Sequence, residues 1–374
     1  MEDSHGAKRL LSLCVIARDE AHNLPRLLAS SKPWVGETIL VDTGSLDDTA
    51  EIATRLGARV LHRPWQNSFA TARNHSLEQA TLPWALVLDA DEELVVTDPA
   101  GLLQALQSDH KAYAIDCHDL RDDGTYAVAP LLRLFQHADP EMRYEGTVHE
   151  QLMGVARGHV AVVRATFMHF RHDGHTASVL VTRNKDERNL SLARAQVTAA
   201  TQEPFAWFCL GQALLTVSNR DRQEQALVAF AQAVAHLNSS HEGEAFVVSL
   251  FAGYANTLKQ LGRNEESLHL LNAAISAFPG SPDLHLMRGN LLVVAAQLLA
   301  AEHDFRSCLS DDAKTFFVRL NPGSTGYEAR VGLGLCLLKQ GKIEEAKVQL
   351  LGALGEAPDN DTRATSLLAA IGNR

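Results

Sequence analysis

Leu86-Val-Leu-Asp-Ala-Asp-Glu-Glu93 carries an apolar run, begun at Trp84, straight into clustered carboxylates at Asp89, Asp91 and Glu92. A buried strand that ends in grouped negative charge is costly unless something compensates it. A divalent cation carrying a phosphate would do so. The same letters also suit a strand followed by an acidic turn or a helix start. A second group, His169, His172 and His175, places three imidazoles within seven residues. Zinc is the first reading of such a group, but no fourth ligand stands at a typical spacing, so a structural zinc is not expected.

The elements that must position these groups alternate in type. Leu10–Ala17 reads as a buried strand, and Asn23–Ala29 begins a helix with Pro25 in its first turn, where a missing N–H does no harm. Glu37–Asp42 reads as a strand, Thr43-Gly44-Ser45 as a tight turn, and Thr49–Leu56 as a helix capped by Asp47 or Asp48. Gly57 ends that helix. Ala58–Leu61 reads as a strand, Ser68–Gln79 as a helix and Trp84–Leu88 as a fourth strand. Such units predict an α/β domain, a mostly parallel sheet with helices on both faces, whose ligands lie beyond the carboxyl ends of the strands. Ala17–Glu20, Asp42–Ser45 and Asp89–Asp91 all fall there, so polar and acidic groups converge on one edge.

From about residue 203 the strand signal stops. Trp207-x-x-Leu210-Gly211 is followed by Ala226, Phe230 and Ala233; Phe251-x-x-Tyr254-Ala255 by Gly262, Leu271 and Ala274; Gly289 by Ala301, Phe305 and Cys308; Gly334 by Gly341, Ala346, Leu350 and Ala353. Small residues let the helices of a hairpin approach, and large apolar ones fill between hairpins. The pattern resembles the tetratricopeptide repeat, whose period is about 34 residues. The small positions 211, 255, 289 and 334 are spaced 44, 34 and 45 apart, so two repeats carry longer connections. The third repeat departs from the pattern, with His285 and Arg288 where apolar residues are usual. Asp311–Thr325 reads as a long linker.

The 374 residues suit two or three domains, and 46% hydrophobic with 21% charged residues is ordinary globular composition. A net charge of −11 implies no basic surface for nucleic acid or an anionic membrane. Five scattered cysteines without a Cys-x-x-Cys pair fit buried reduced thiols in a cytoplasmic protein. No secretory signal and no bilayer-spanning segment are expected.

Val15–Glu20, Val41–Thr49, Phe69–Asn74 and Leu88–Glu92, in that order, resemble a family-2 glycosyltransferase of the GT-A fold. More narrowly they resemble the bacterial branch in which this domain precedes tetratricopeptide repeats, the branch with peptide S-glycosyltransferases and lipopolysaccharide-core glucosyltransferases. The resemblance covers roughly residues 10–190. It implies a Rossmann-like GT-A domain at 1–190 and an all-α repeat domain at 191–374. It also implies a nucleotide-sugar donor, usually a UDP-sugar, and Mg²⁺ or Mn²⁺.

The resemblance assigns the donor to Ala17, Arg18, Glu20, Asp42, Arg73, Asp89, Ala90 and Asp91. Asp42 can accept from the uracil N3–H or a ribose hydroxyl, or simply form the turn before Gly44. Arg73 would neutralise the diphosphate, or lie on a helix surface. Asn74 fixes local structure. Asp89-Ala90-Asp91 matches the family's DxD motif: alternation lets both carboxylates face one way, Asp91 on the metal and Asp89 on the ribose or a metal-bound water. In Arg143–Glu150, Glu150 would be the general base, Glu145 its rival, and His149 would bind metal or orient the acceptor. His169 would be a ligand to metal or diphosphate; His175 stands where relatives carry an aromatic residue. Lys185–Asn189 would join the domains or touch the phosphates.

The expected activity is an inverting, metal-dependent transfer to a peptide or protein acceptor, or to a glycan of a glycolipid or lipopolysaccharide. The repeats would offer a concave surface for such a partner or for self-association as a homodimer. The rival is a transferase-like domain without activity serving as an interaction scaffold; Asp89, Asp91 and Glu150 oppose it.

Overall fold

The computed structural model describes residues 6–120, 126–147, 150–156, 159–172, 179–216, 219–241, 244–316, 320–356 and 361–372. The chain divides into two compact units, Met1–Thr201 and Gln202–Arg374.

In the first unit, β1 (Leu11–Ala17), α1 (Leu24–Ser31), β2 (Glu37–Asp42), α2 (Thr49–Arg55), β3 (Arg59–His62), α3 (Phe69–Leu77) and β4 (Trp84–Asp89) follow the expected alternation within a residue or two. Beyond them lie β5 (Glu92–Val96), α4 (Pro99–Leu106), β6 (Ala112–Leu120), β7 (Tyr126–Gln136), β8 (Tyr144–Glu145), β9 (Gln151–Leu152), α5 (Met153–Ala156), β10 (Val162–His172) and α6 (Val179–Ala199). The main sheet has eight strands in the order β3-β2-β1-β4-β7-β6-β10-β5. Pairs β2–β3, β1–β2, β1–β4 and β6–β10 are parallel; β4–β7, β6–β7 and β5–β10 are antiparallel. The antiparallel additions close the half of the sheet beyond β4 and bring later residues back to its carboxyl end.

Helices cover both faces, because alternate residues of each buried strand are apolar on both sides. Leu13, Val15, Leu86 and Leu88 pack with Leu24, Leu27, Leu102 and Leu106 of α1 and α4. Cys14, Ala85, Val87 and Phe135 pack on the opposite face with Ala70 and Leu77 of α3, and with Tyr144 and Leu152 of the small β8–β9 ribbon.

α6 runs across residue 190, where the sequence placed the domain boundary. Its later turns bury Leu192, Ala193 and Val197. Gln196 Oε1 accepts from Thr147 Oγ1 at 2.7 Å, tying α6 to the first unit.

The second unit is a row of hairpins: α7/α8 (Pro204–Leu215, Arg220–His236), α9/α10 (Ala245–Gln260, Asn264–Ala277), α11/α12 (Pro282–Val294, Leu298–Cys308) and α14/α15 (Tyr327–Lys339, Ile343–Leu354), with α16 (Arg363–Gly372) at the end. The expected linker holds the short helix α13 (Asp311–Thr315) and a 3₁₀ turn, Pro322–Thr325. The small residues act as the repeat pattern requires. A Cβ on Gly211 would lie 2.2 Å from the Phe230 ring, one on Gly289 2.9 Å from Phe305, and one on Gly334 2.7 Å from Leu350, each across its own hairpin. His285 and Arg288 are not defects: Asp304, fully buried on α12, accepts from Arg288 Nη2 at 2.6 Å and pairs with His285 Nδ1 at 2.8 Å.

Candidate active site

The loops after β1 and β2 are laced together. Thr43 N and Oγ1 both donate to the Ala17 carbonyl, Asp19 N donates to Ser45 Oγ, and Leu46 N donates to Asp19 Oδ1. The lacing holds Asp19 at φ +58°, a left-handed conformation that Asp tolerates better than most residues. Gly44 takes φ +112°, as the turn demands. The expected cap of α2 is supplied by Asp47, whose Oδ1 accepts from Thr49 N; the Asp48 side chain makes no capping bond.

These loops border a cleft of about 280 Å³ lined by Arg18, Asp42, Thr43, Gly44, His62, Arg63, Pro64 and Trp65. Asp42 is buried at its rim. Its Oδ1 accepts from Ser45 N and Oγ across the turn, while its Oδ2 faces His62 Nδ1 at 3.1 Å. Burial would raise its pKa, but the bonds from Ser45 and His62 outweigh that and hold the carboxyl below its usual range. Glu20 turns to its own helix start, accepting from Asn23 Nδ2 at 2.7 Å. Ala17 and Ala90 are buried in the core, Ala17 contributing through its carbonyl.

At the end of β4 the charges are shared in a chain. Arg73 is buried on α3, donating from Nε to Glu150 Oε1 at 2.5 Å and from Nη2 to Asp89 Oδ1 at 2.7 Å. Arg133 of β7 donates to Asp89 Oδ2 at 2.8 Å and to Glu92 Oε1 at 3.2 Å. Glu92 Oε2 accepts from Asp89 N at 2.8 Å. Burial works against Asp89 ionisation, yet the two guanidinium groups overcome it and pull its pKa far down. Glu92 is pushed up to about 7, first by burial and then by the Asp89 charge, with Arg133 opposing. The first carboxylate of the acidic pair is thus occupied by two arginines. Arg73 is committed to carboxylates rather than turned to a phosphate.

Asp91 lies apart from this chain. Its Oδ2 meets His172 Nε2 at 3.2 Å, and His172 Nδ1 meets Asp119 Oδ1 at 3.0 Å. The bond to Asp91 lifts the His172 pKa to about 9, with burial opposing. Arg26 Nη2 donates to the Asp91 carbonyl at 2.8 Å and fixes the turn. Asp89 and Asp91 therefore face different partners. His169, three residues from His172 along β10, has the opposite strand parity and stacks on His118 with centroids 4.3 Å apart. The structure brings His172 to Asp91 and leaves His169 with His118; burial holds the His169 pKa below its usual value.

The rival bases are also separated. Asn74 Nδ2 donates to the Tyr144 carbonyl and its Oδ1 accepts from Tyr144 N, clamping β8 to α3. Tyr144 faces inward, 5.8 Å beneath Arg73, and burial raises its hydroxyl to about 12. Its neighbour Glu145 is exposed, whereas the Glu150 side chain is only 11% exposed and points to Arg73. His149 and His175 lie outside the described residues, and of Lys185–Asn189 the Lys185 side chain does too.

Reasoning from sequence missed Arg133, His172 as the Asp91 partner, Tyr144, and the His62–Trp65 wall of the cleft. His172 stood in the flagged histidine group and Glu92 in the acidic run. Arg133 gave no signal, since only the antiparallel pairing of β7 with β4 brings it to Asp89.

Among the described residues no group of three metal-ligating side chains forms a ready cage. A cation that takes one carboxylate and completes its shell from phosphate and water, the habit of Mg²⁺ in phosphate sites, would have to displace His172 from Asp91.

The largely parallel α/β sheet gathers the cleft and the acidic strand ends at one carboxyl edge. Residues 12–172 match the family model of Glycosyl transferase family 2, so the first unit carries a family-2 glycosyltransferase domain, followed by helical repeats. A TPR repeat-containing protein of Synechococcus elongatus is 44% identical over 144 residues, 37% of this chain and 34% of that protein. The SPbeta prophage-derived glycosyltransferase SunS of Bacillus subtilis is 22% identical over 288 residues, 76% of this chain and 67% of SunS. The chain thus spans about a third of the first relative's length and two thirds of the second's. Among solved structures, YrrB, a TPR protein with an unusual peptide-binding site, is similar with a TM-score of 0.38 and 17% identity, over 51% of this chain and 87% of that chain.

Proposed function

We propose that the protein is an inverting glycosyltransferase that takes a sugar from a UDP-sugar, with Mg²⁺ or Mn²⁺, and passes it to a peptide or protein acceptor; a glycan acceptor is the alternative. The observation that carries the reading is the order of groups along the sheet edge. The cleft lies at the ends of β3 and β2, Arg18 follows β1, and the carboxylates follow β4. This order suits a nucleoside, a diphosphate and a sugar in sequence.

The chain's own residues divide the work. The cleft holds the nucleoside against Asp42 and Trp65. Arg73, pinned between Asp89 and Glu150, fixes the distance between the donor end and the base. Arg73 binds Glu150 Oε1, and among the described residues Oε2 has no partner, so it can take the acceptor proton as that nucleophile attacks the anomeric carbon. One in-line displacement of this kind inverts the configuration. A cation bound at Asp91 would take up charge on the departing diphosphate as a Lewis acid.

The test is UDP release from UDP-sugars, with and without Mn²⁺, together with a mass-spectrometric screen of acceptor peptides. Asp91→Ala should abolish the metal-dependent part. Glu150→Gln should keep UDP affinity and lose about 10²-fold or more in transfer. A wild-type protein with neither UDP binding nor metal-dependent turnover sinks the reading. Unchanged transfer in Glu150→Gln moves the base to Glu145.

A further inference from the structure

Glu150 stands immediately before β9, and Gly146 and Thr147 immediately after β8, so all three belong to the connection of the small β8–β9 ribbon. That ribbon pairs only Tyr144 with Leu152 and Glu145 with Gln151. So short a ladder cannot fix its own turn, since even a full isolated hairpin is marginal in water. Something outside the ribbon must set where Glu150 lies.

Thr147 is the point at which the connection is gripped. Its carbonyl accepts from Phe69 N at 3.0 Å, satisfying one of the free N–H groups at the start of α3. Its own N and Oγ1 both donate to Gln196 Oε1, at 3.3 and 2.7 Å. Every polar group of Thr147 is therefore engaged. The ties from Asn74 to Tyr144 and from Arg73 to Glu150 also run to α3. Phe69, Arg73 and Asn74 lie close together on that one helix, and a segment fixed along a single rod can still roll about it. Gln196 adds a second line of attachment, from α6. That helix is itself held to α3, with the Arg188 guanidinium 5.2 Å from the centroid of the Phe69 ring. Ala193 and Val197, on either side of Gln196, are buried and anchor its stretch of α6. Reactive geometry tolerates little error: a displacement of about 1 Å can cost about 10²-fold in rate.

We propose that Gln196 is a positioning residue: by binding Thr147 from α6 it holds the connection so that Glu150 Oε2 meets the proton of the acceptor. The proposal rests on the transferase reading above, with Glu150 as the base. It gives the last turns of α6 a part in turnover rather than in stability alone.

The experiment is steady-state release of UDP from UDP-glucose, UDP-galactose and UDP-N-acetylglucosamine by the full chain with Mn²⁺, together with calorimetric UDP binding and thermal melts. Water serves as the acceptor: its proton passes to Glu150, its oxygen bonds the anomeric carbon, and the bond from that carbon to the UDP oxygen breaks. Gln196→Ala should lower kcat by about tenfold or more and leave KM and UDP affinity within about twofold. Gln196→Glu keeps an acceptor for Thr147 and should stay within about threefold of wild type. In a Glu150→Gln background, Gln196→Ala should cost less than about twofold further, because residues that act through one group are not additive. The same loss persisting in that background would place the effect elsewhere and overturn the proposal. So would an unchanged kcat in Gln196→Ala, or a fall in UDP affinity as large as the fall in kcat. Thr147→Val, which removes the hydroxyl at nearly constant shape, is the second variant if Gln196→Ala does not fold; failure of both to fold makes the tie structural only and overturns the proposal as well. Unchanged turnover in Glu150→Gln, or a wild type that binds UDP but releases none from any of the three donors, overturns it too. A wild type that neither binds UDP nor releases it fells the transferase reading and this inference with it, whereas an active wild type with an indifferent Gln196→Ala sinks this inference alone.

Discussion

At the scale of single residues, Arg73 is the hinge of the site. It is buried, and its guanidinium separates two carboxylates that would otherwise repel, Asp89 and Glu150. Burial disfavours its charge, yet those carboxylates outweigh the penalty and raise its pKa. Removing one partner of a buried ionic group leaves the others uncompensated and typically costs about 3–5 kcal/mol. Arg73→Ala should therefore lower the melting temperature markedly and abolish transfer. Arg73→Lys should restore little, since an ammonium on a flexible stem does not match the fork that spans Nε and Nη2. Calorimetric melting and turnover, measured on both variants, check this; near wild-type activity in Arg73→Ala would show that the bridge is dispensable. The sequence made Arg73 visible as a helix arginine ahead of the acidic strand, but not its two partners. Those lie 16 and 77 residues away, and only folding brings them together.

At the scale of elements, the helical hairpins show how a repeat tolerates polar substitutions. The α11/α12 hairpin keeps the small-against-large contact of Gly289 with Phe305, and replaces apolar contacts beside it with the Asp304–Arg288–His285 network. Burial would raise the Asp304 pKa, but the bonds from Arg288 and His285 prevail and lower it. A carboxyl with a depressed folded pKa adds stability above its unfolded value, near 3.8, and loses that stability as pH falls through the folded value. The repeat unit should thus be weakened by acid below about pH 4. Asp304→Asn should remove this part of the acid dependence and destabilise the unit at neutral pH by about 3 kcal/mol, because the half-buried Arg288 and the buried His285 lose the carboxylate they share. Denaturant melts at pH 7 and pH 3.5 decide it; an unaltered pH profile in Asp304→Asn counts against the network. The repeat pattern pointed to the hairpins through Gly211, Gly289 and Gly334, whereas Asp304 was indistinguishable from a surface acid.

At the scale of the whole molecule, the position of the boundary is a matter of folding rather than of motif. The sequence signals ran out near residue 190, but α6 continues to Ala199 with buried apolar positions and the Gln196–Thr147 bonds. A chain ending at Thr201 should fold and bind UDP, while one ending at Leu190 loses the last turns of α6 and should be soluble only in part and melt earlier. Expression and melting of both fragments test this, and equal behaviour would place the true boundary earlier. No helix among the described residues is long and apolar enough to cross a membrane. The repeat unit has its own hollow of about 520 Å³ beside α12, lined by Leu299, Glu302, Arg306 and Lys342. Its carboxylate, Glu302, is already paired with Arg306 and Lys342, so the hollow lacks the chemistry of the strand-end cleft.

Local pattern alone determined the strand–helix alternation through β4, the edge on which ligands must lie, and the change to helical repeats, because periodicity, turns and caps are written within a few residues of one another. Arg18, Asp42, Asp91 and Glu150 were legible as strand-end or motif residues for the same reason. Tertiary structure decided the rest. It turned His169 away and brought His172 to Asp91, because strand parity decides which face a side chain takes. It put Glu150 rather than Glu145 against Arg73, because Asn74 clamps the short β8 ribbon to α3. It delivered Arg133 to Asp89 and Arg188 to Phe69, because antiparallel return strands and a long helix carry distant segments to one edge. No local rule encodes those distances, and the electrostatics of the site depend on them.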